Sequence, residues 1–172
     1  MKKEIIMPVV VLAVICLVIT AALAFTNSTT APVIALAAEE RAEAARHEAI
    51  PDATGFTKLD IEGLPETIKE VYASDNQVGY VFMVTTKGYG GDMELICSVV
   101  NNGRILMCKT LKHSETKGMG SKTADEPFRS QFIGKDAELE GVNAVTGATI
   151  SSTAYINAIH DVFTAYEMVK GA

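Results

Sequence analysis

The sequence predicts an α+β protein in which a single N-terminal transmembrane helix precedes a compact domain with an antiparallel sheet and flanking helices. Three observations predict this class: an uncharged apolar run at the start, short β-type segments joined by glycine- and asparagine-containing turns in the middle, and a helical apolar stripe at the end. With 172 residues, the chain has room for one modest domain besides a membrane anchor.

The apolar run from Ile5 to Phe25 contains no charged residue and has about the length needed to cross a bilayer. A cleaved signal peptide is the competing interpretation, because Lys2 and Lys3 give a basic start and Ala22-Leu23-Ala24 imitates a cleavage site. However, the apolar region of a signal peptide usually spans only about 7–15 residues. We therefore expect residues 1–25 to be a cytoplasmic N-terminus and an uncleaved membrane anchor.

The charges around this run predict its orientation. Lys2 and Lys3 precede it directly, whereas the first basic residue after it is Arg41. Because basic residues favour the cytoplasmic side, the N-terminus is expected in the cytoplasm and the rest of the chain on the extracytoplasmic side of the cell membrane, after a single pass.

Residues 26–50 are predicted to form a helical stalk. The segment is rich in Ala and Glu and lacks internal Gly, and Pro32 suits the first turn of a helix, so the helix is expected to begin near that proline. A turn at 51–55 then leads into the domain, which we place at residues 51–172.

Three strands are predicted in the first part of this domain: 78–86, 93–100 and 104–111. Gly88 to Gly91 is expected to connect the first two as a hairpin, because the spacing of a dinucleotide-binding loop and the helix that follows such a loop are missing. A two-residue Asn102-Gly103 turn would pair Asn101 with Arg104. The same register would place Cys97 opposite Cys108, either as a disulfide or as two buried thiols.

Composition excludes two classes of partner. Beyond residue 25 the chain carries 13 basic against 20 acidic residues, which argues against nucleic acid and against an anionic surface bound through a basic patch. The three histidines and three cysteines show no metal-ligand spacing, so no metal site is expected. His113 is of interest because it precedes a candidate site segment.

The candidate binding segment is Thr146-Gly147-Ala148-Thr149-Ile150-Ser151-Ser152. Small residues let the backbone approach an anionic group closely, and Ser151 or Ser152 could cap the helix that follows. This helix carries an apolar stripe at helical spacing, made of Tyr155, Ile156, Ile159, Val162, Phe163, Tyr166 and Val169. Thr149 would lie just outside its N-terminus, where a phosphate is favoured, although an ordinary capped turn fits the local sequence as well.

Two segments resemble those of the FMN-binding domain family, which includes the G subunit of the Rnf complex and the C subunit of the sodium-translocating NADH:quinone oxidoreductase. Thr146-Gly147-Ala148-Thr149 resembles the family's attachment motif. Glu115-Thr116-Lys117-Gly118-Met119-Gly120 resembles the loop that the family places against the flavin ring. A third similarity covers the stretch with Phe128, Gln131, Phe132, Gly134 and Lys135.

The resemblance implies FMN bound covalently through a phosphoester to Thr149, with Thr146, Gly147 and Ala148 beside the phosphate. It also implies that Glu115, Thr116, Gly118, Met119 and Gly120 contact the ring. No residue of this chain is expected to be catalytic toward a substrate, since the cofactor carries the electrons.

The family implies an electron-transfer subunit of a membrane complex that couples ferredoxin:NAD⁺ electron flow to Na⁺ or H⁺ translocation. Its implied partners are the other subunits of the Rnf complex, the lipid bilayer, and a flavin transferase that attaches FMN from FAD. The alternatives are a subunit similar to the quinone-reductase C subunit, a stand-alone membrane-anchored flavin reductase, or a scaffold in which the motif is accidental.

Two positions depart from the family pattern. Lys117 stands where proline is frequent, which changes loop stiffness and adds a charge. Asn143 stands where aspartate is frequent, three residues before the motif, which bears on the efficiency of attachment.

Overall fold

The computed structural model describes residues 2–170, with side chains from Met7 onward. Its backbone divides into two compact units, Met1–Glu43 and Ala44–Ala172. Helix α1 runs from Lys2 to Ala49, so it forms the first unit and supplies the first turns of the second. The side chains of Lys2 and Lys3, on which the predicted orientation rests, lie outside the described part.

The first unit is a membrane-span candidate by length and composition, and its most apolar window is wholly exposed. The expected helix start near Pro32 is wrong, because Pro32 lies inside the continuous helix α1. In the turns before it, the hydroxyls of Thr26, Thr29 and Thr30 donate to carbonyl oxygens four residues earlier, at 2.9–3.0 Å. These side chains therefore bond to the helix that precedes them and do not cap a new one.

The second unit contains a five-stranded antiparallel sheet whose spatial order follows the chain. Its strands are β1 (Phe56–Leu59), β2 (Ile68–Ser74), β3 (Gly79–Lys87), β4 (Asp92–Val100) and β5 (Arg104–His113). The three predicted strands correspond to β3, β4 and β5. This antiparallel sheet with flanking helices confirms the predicted α+β class.

The remaining elements follow the sheet. A 3₁₀ turn (Gly120–Ala124), a short helix α2 (Glu126–Arg129) and a second 3₁₀ turn (Ser130–Phe132) lead through an irregular segment to helix α3 (Thr149–Val169). The predicted apolar stripe of α3 is buried at every position except the half-buried Ile156.

Alternating side chains divide the core between the two faces of the sheet. On one face Phe82 and Leu95 join α3 and the aromatic cluster of Phe128, Phe132 and Tyr155, whose ring centroids lie 5.2–5.3 Å apart. The end of α1 covers the other face, where the buried cluster includes Ala45, Ala49, Ile50, Tyr72, Val81 and Ile96. The sheet is thus the central layer of the unit.

The hairpin between β4 and β5 pairs Cys97 with Cys108 as predicted, but through a different turn. Val100, and not Asn101, pairs with Arg104, and a register shift between Ser98 and Val99 restores the predicted alignment before Cys97. The turn therefore has three residues, with Gly103 at φ +76°. Both cysteines are buried free thiols.

We expect Cys97 and Cys108 to react slowly with iodoacetamide at pH 8 in the folded chain and rapidly after denaturation. Burial raises the pKa of the Cys108 thiol well above its ordinary value, and a hydrogen bond with Cys97 raises it further. Unfolding removes the burial and so lowers this pKa. Because the thiolate is the reactive form, the reactivity of the thiol then increases. Mass spectrometry of a Cys16→Ala chain, which lacks the exposed thiol, measures the two rates; rapid native labelling would contradict the expectation.

Candidate functional site

The predicted binding segments meet at a cavity of about 410 Å³ beside the N-terminus of α3. Its volume lies within the range of small-molecule sites. Seven of the nine predicted site residues line it, namely Glu115, Thr116, Met119, Gly120, Gly147, Ala148 and Thr149. Thr146 and Gly118 belong to the same two segments but do not line the cavity.

Thr149 is the first residue of α3, is exposed, and lines the cavity at the helix start. The amide groups of a first helical turn have no partner within the helix, which makes this end favourable for an anion. Gly147 precedes it with φ +82° and open space around the position of a Cβ. The backbone here has the left-handed turn and the clearance that a bulky phosphate group requires.

The two serines do not cap α3, contrary to the sequence-based expectation. Ala148 occupies the N-cap position without a side-chain hydrogen bond. Ser152 Oγ instead accepts a bond from the Val145 N–H at 3.0 Å, and Ser151 Oγ accepts one from the Tyr89 N–H at 3.4 Å. These bonds connect α3 to Val145 before the helix and to the β3–β4 hairpin, so the serine side chains do not occupy the first-turn amides.

The loop 115–120 forms the other wall of the cavity. The Met119 N–H donates to Thr116 O at 3.1 Å, and Gly118 has φ +79°. Positive φ at the third residue and the four-residue hydrogen bond are the marks of a type II turn, in which proline is favoured at the second residue. Lys117 holds that second position, so this lysine occupies the place in the turn that proline favours.

Glu115 is the buried acidic residue of the site, with 8% of its surface exposed. Its Oε1 accepts a hydrogen bond from the Gly90 N–H at 3.2 Å, while Oε2 has no partner among the described residues. A Cβ built on Gly88 or Gly120 would approach the carboxyl oxygens to 2.0 or 1.9 Å. Glycine at both positions therefore makes room for this carboxyl group beside the cavity.

Sequence reasoning missed Tyr89, which lines the cavity from outside the predicted segments; Ile150 and Ser151 also line it and belong to the candidate binding segment, but were not predicted as cofactor contacts. Tyr89 lies in the Gly88–Gly91 connection, which has the predicted hairpin geometry with the Gly88 N–H donating to Gly91 O at 2.9 Å. An exposed aromatic residue among glycines was the available signal. Tyr89, Met119 and Ile150 are 74%, 55% and 59% exposed, so the rim is apolar.

Gln131 holds the chain just before the 146–149 segment, through the backbone of Asn143. Gln131 Oε1 accepts from the Asn143 N–H at 2.9 Å, and Gln131 Nε2 donates to Asn143 O at 3.3 Å. Lys135 Nζ donates to Glu140 O at 2.6 Å. The Asn143 backbone is therefore held by Gln131, while the Asn143 Nδ2 group donates to Gly141 O at 2.9 Å, a bond that an aspartate carboxylate could not make.

A second, more polar cavity of about 660 Å³ lies at the other end of α3, where Tyr166 and Lys170 face Asp75. It shares no residue with either predicted segment. Among the described residues no group of three or more His, Cys, Asp or Glu side chains is placed to hold a metal ion. The cavity of about 410 Å³ is the candidate site because residues of both predicted segments line it.

Comparison with known families defines the class of protein. The FMN-binding domain family matches residues 88–164, which contain every residue lining the cavity, and the RnfG N-terminal region matches residues 1–48. The chain thus combines an FMN-binding domain with an N-terminal helix of the RnfG type.

Relatives among known proteins define the family. The chain is 33% identical to the G subunit of the ion-translocating oxidoreductase complex of Methanosarcina acetivorans, over 92% of this chain and 93% of that one. It is 30% identical to the G subunit of the Na⁺-translocating ferredoxin:NAD⁺ oxidoreductase complex of Acetobacterium woodii, over 87% and 86%. The protein belongs to the family of G subunits of ion-translocating oxidoreductase complexes.

A solved structure agrees in fold. The crystal structure of Shewanella oneidensis NqrC matches with a TM-score of 0.51 at 19% identity, covering 67% of this chain and 70% of that one. The antiparallel sheet with its flanking helices is thus an arrangement already known from a crystal structure. The structural agreement concerns the fold, whereas the family matches and the relatives confirm the predicted family.

We expect Gly120→Ala to destabilise the second unit by about 1–3 kcal/mol, the usual cost of overpacking. The new Cβ would lie 1.9 Å from Glu115 Oε2 and 3.1 Å from Glu115 Cβ, so the carboxyl group must leave its place. Urea denaturation of Gly120→Ala, Glu115→Ala and the double variant measures the coupling between the two positions.

The double variant is expected to lose less free energy of unfolding than the sum of the two single losses. The reason is that Glu115→Ala removes the carboxyl group with which the new Cβ at position 120 clashes. Gly118→Ala is the matched control: it has positive φ but open space around it, so Glu115→Ala should not relieve its cost. Additive effects at Gly120 would show that the carboxyl group does not fill this space.

Proposed function

We propose that this chain carries FMN covalently on Thr149 and relays electrons within a membrane complex that couples ferredoxin:NAD⁺ electron flow to Na⁺ or H⁺ translocation. The observation that carries the proposal is the cavity in which the Thr149 hydroxyl, the start of α3 and the loop 115–120 face one another. The family of G subunits supplies the context of an ion-translocating complex.

The cavity suits the two ends of FMN. The phosphoester would lie at the first turn of α3, where the helix dipole and unpaired amides favour negative charge. The isoalloxazine ring would lie against the apolar rim of Tyr89, Met119 and Ile150. Glu115 Oε2, which lacks a partner among the described residues, is an acceptor available for an N–H of the ring.

Bound flavin supplies one- and two-electron redox chemistry, and the residues of this chain set its position and its surroundings. Thr149 fixes the cofactor, so it cannot be lost on the outer side of the membrane. Thr116 offers a hydroxyl beside Glu115 at the polar part of the wall. The exposed rim leaves one side of the cavity open to a partner subunit, as an electron relay requires.

Attachment requires a separate flavin transferase with FAD as the FMN donor. In this step a bond forms between Thr149 Oγ and the FMN phosphorus, and the pyrophosphate bond of FAD breaks. AMP leaves, and the hydroxyl proton passes to a base of the transferase. The exposed position of Thr149 supports the access that such an enzyme needs.

We further propose that the segment from Ile5 to Phe25 spans the lipid bilayer once, with the N-terminus in the cytoplasm and the FMN domain outside. The uncharged length of this segment and the basic residues before it support this arrangement.

Thr149→Ala is expected to abolish covalent flavin, whereas Thr146→Ala should retain it. Both threonines are exposed, but only Thr149 begins α3 and lines the cavity. In-gel flavin fluorescence after denaturation, on membranes from cells that contain the transferase, measures the difference. Thr149→Ser keeps the hydroxyl and serves as the conservative variant; a fluorescent Thr149→Ala band would refute the attachment site.

Protease added to intact, wall-stripped cells should digest the domain that follows the anchor. Basic residues before a span favour its N-terminal side in the cytoplasm, which supports an outer position for the domain. An antibody to the C-terminal region follows the digestion, and a cytoplasmic protein serves as the control for lysis. Protection of the domain until the cells are lysed would reverse the proposed orientation.

A further inference from the structure

The loop 115–120 begins with a main-chain amide that the sheet does not pair. The ladder between β4 and β5 ends where Met93 pairs with His113, the last residue of β5. The N–H of the buried Glu115 therefore lies beyond the ladder. A buried amide without an acceptor costs stability, so this strand end requires an acceptor from outside the ladder.

The His113 side chain supplies that acceptor. Its Nδ1 accepts a hydrogen bond from the Glu115 N–H at 3.2 Å, from a half-buried position at the end of β5. His113 does not line the cavity, whereas Glu115 does. The imidazole thus fixes the main chain at the point where it leaves the strand and enters the cavity wall.

The β3–β4 hairpin holds Glu115 from the other side. The Gly90 N–H donates to Glu115 Oε1 at 3.2 Å. A Cβ built on Gly90 would lie 2.4 Å from Ser114 O and 2.9 Å from Glu115 Cα, so the hairpin packs directly against this main chain. With its main chain held by His113 and one carboxyl oxygen held by Gly90, Glu115 is fixed in place before a ligand binds.

We propose that His113 is a positioning residue of the flavin site: through the Glu115 main chain it holds the Glu115 carboxyl group beside the ring, and so contributes to the reduction potential of FMN. This inference rests on the FMN assigned under the proposed function. A carboxylate near the ring disfavours the negative charge that reduction adds, and its effect falls with distance. Release of Glu115 is therefore expected to raise the potential.

Asparagine is the conservative replacement for His113 in this role. An Asn or Asp side chain readily accepts a hydrogen bond from the amide two residues later. The chain itself forms this bond elsewhere. Asn102 Oδ1 accepts from the Arg104 N–H at 3.0 Å, and the same arrangement joins Asp136 Oδ1 to the Glu138 N–H at 3.3 Å. His113→Asn should therefore keep the bond to position 115, whereas His113→Ala removes it.

Amide hydrogen exchange tests the bond without flavin. In the full chain, made without the transferase and held in detergent, NMR should show the Glu115 amide of His113→Ala exchanging at least tenfold faster relative to the β3 amides. His113→Asn should keep the original rate, and so should His160→Ala, an exposed control on α3. Unchanged exchange in His113→Ala, or equal acceleration in His113→Asn, would overturn the proposal.

Redox titration of the flavin-loaded chain tests the consequence for the cofactor. His113→Ala should raise the midpoint potential by at least about 30 mV, a tenfold change in the equilibrium constant of a two-electron couple, and His113→Asn should not. In a Glu115→Gln chain, His113→Ala should cause no further shift, because the positioned charge is already absent.

An equal shift in the Glu115→Gln chain would show that His113 acts on the flavin by another route, and would overturn the proposal. An unchanged potential in His113→Ala would overturn it as well. Absence of covalent flavin from the unaltered chain would instead refute the attachment site, and the amide exchange would still decide whether His113 holds Glu115.

Discussion

The geometry of the site depends on the Glu115 carboxyl group and the space left for it. This group lies between the β3–β4 hairpin and the loop after β5, where Gly90 donates to it and Gly88 and Gly120 lack the side chains that would displace it. A buried carboxyl group with one unpartnered oxygen costs stability unless a ligand or solvent pairs it. This unpartnered oxygen lies where three chain segments border the proposed flavin site. A bound ligand with an N–H group could pair with it there and offset the cost.

The elements with strong periodicity could be predicted from the sequence. The stripe from Tyr155 to Val169 predicts α3 because seven apolar side chains at helical spacing have few alternatives to burial on a sheet. The pairing of Cys97 with Cys108 was also predicted, yet through a two-residue turn that the structure does not have. A register shift compensated for the third turn residue, and such a shift leaves no mark in the pattern of apolar residues at this turn.

Local hydrogen bonding was harder to predict, because one side chain has several partners within reach. Ser151 and Ser152 have the residue type of helix caps, but the folded chain brings the Tyr89 and Val145 amides to them. Pro32 has the residue type of a helix start, but the apolar and alanine-rich sequence on both sides extends α1 through it. In each case the available partner or the flanking sequence decides the outcome, so the residue type alone does not determine which hydrogen bond or helix end forms.

The candidate site lies wholly in the second unit, which has consequences for how the protein divides its tasks. Every lining residue belongs to hairpins, turns and α3 that the sheet holds in place, and α3 is fixed along its whole length by the buried stripe. The helix whose first turn would bind the phosphate is therefore also the main core element, so the position of Thr149 is set by the packing of the domain. The apolar part of α1 contributes no side chain to the cavity. The sequence of this part is thus not constrained by the candidate site, and its length and composition are those of a membrane-span candidate.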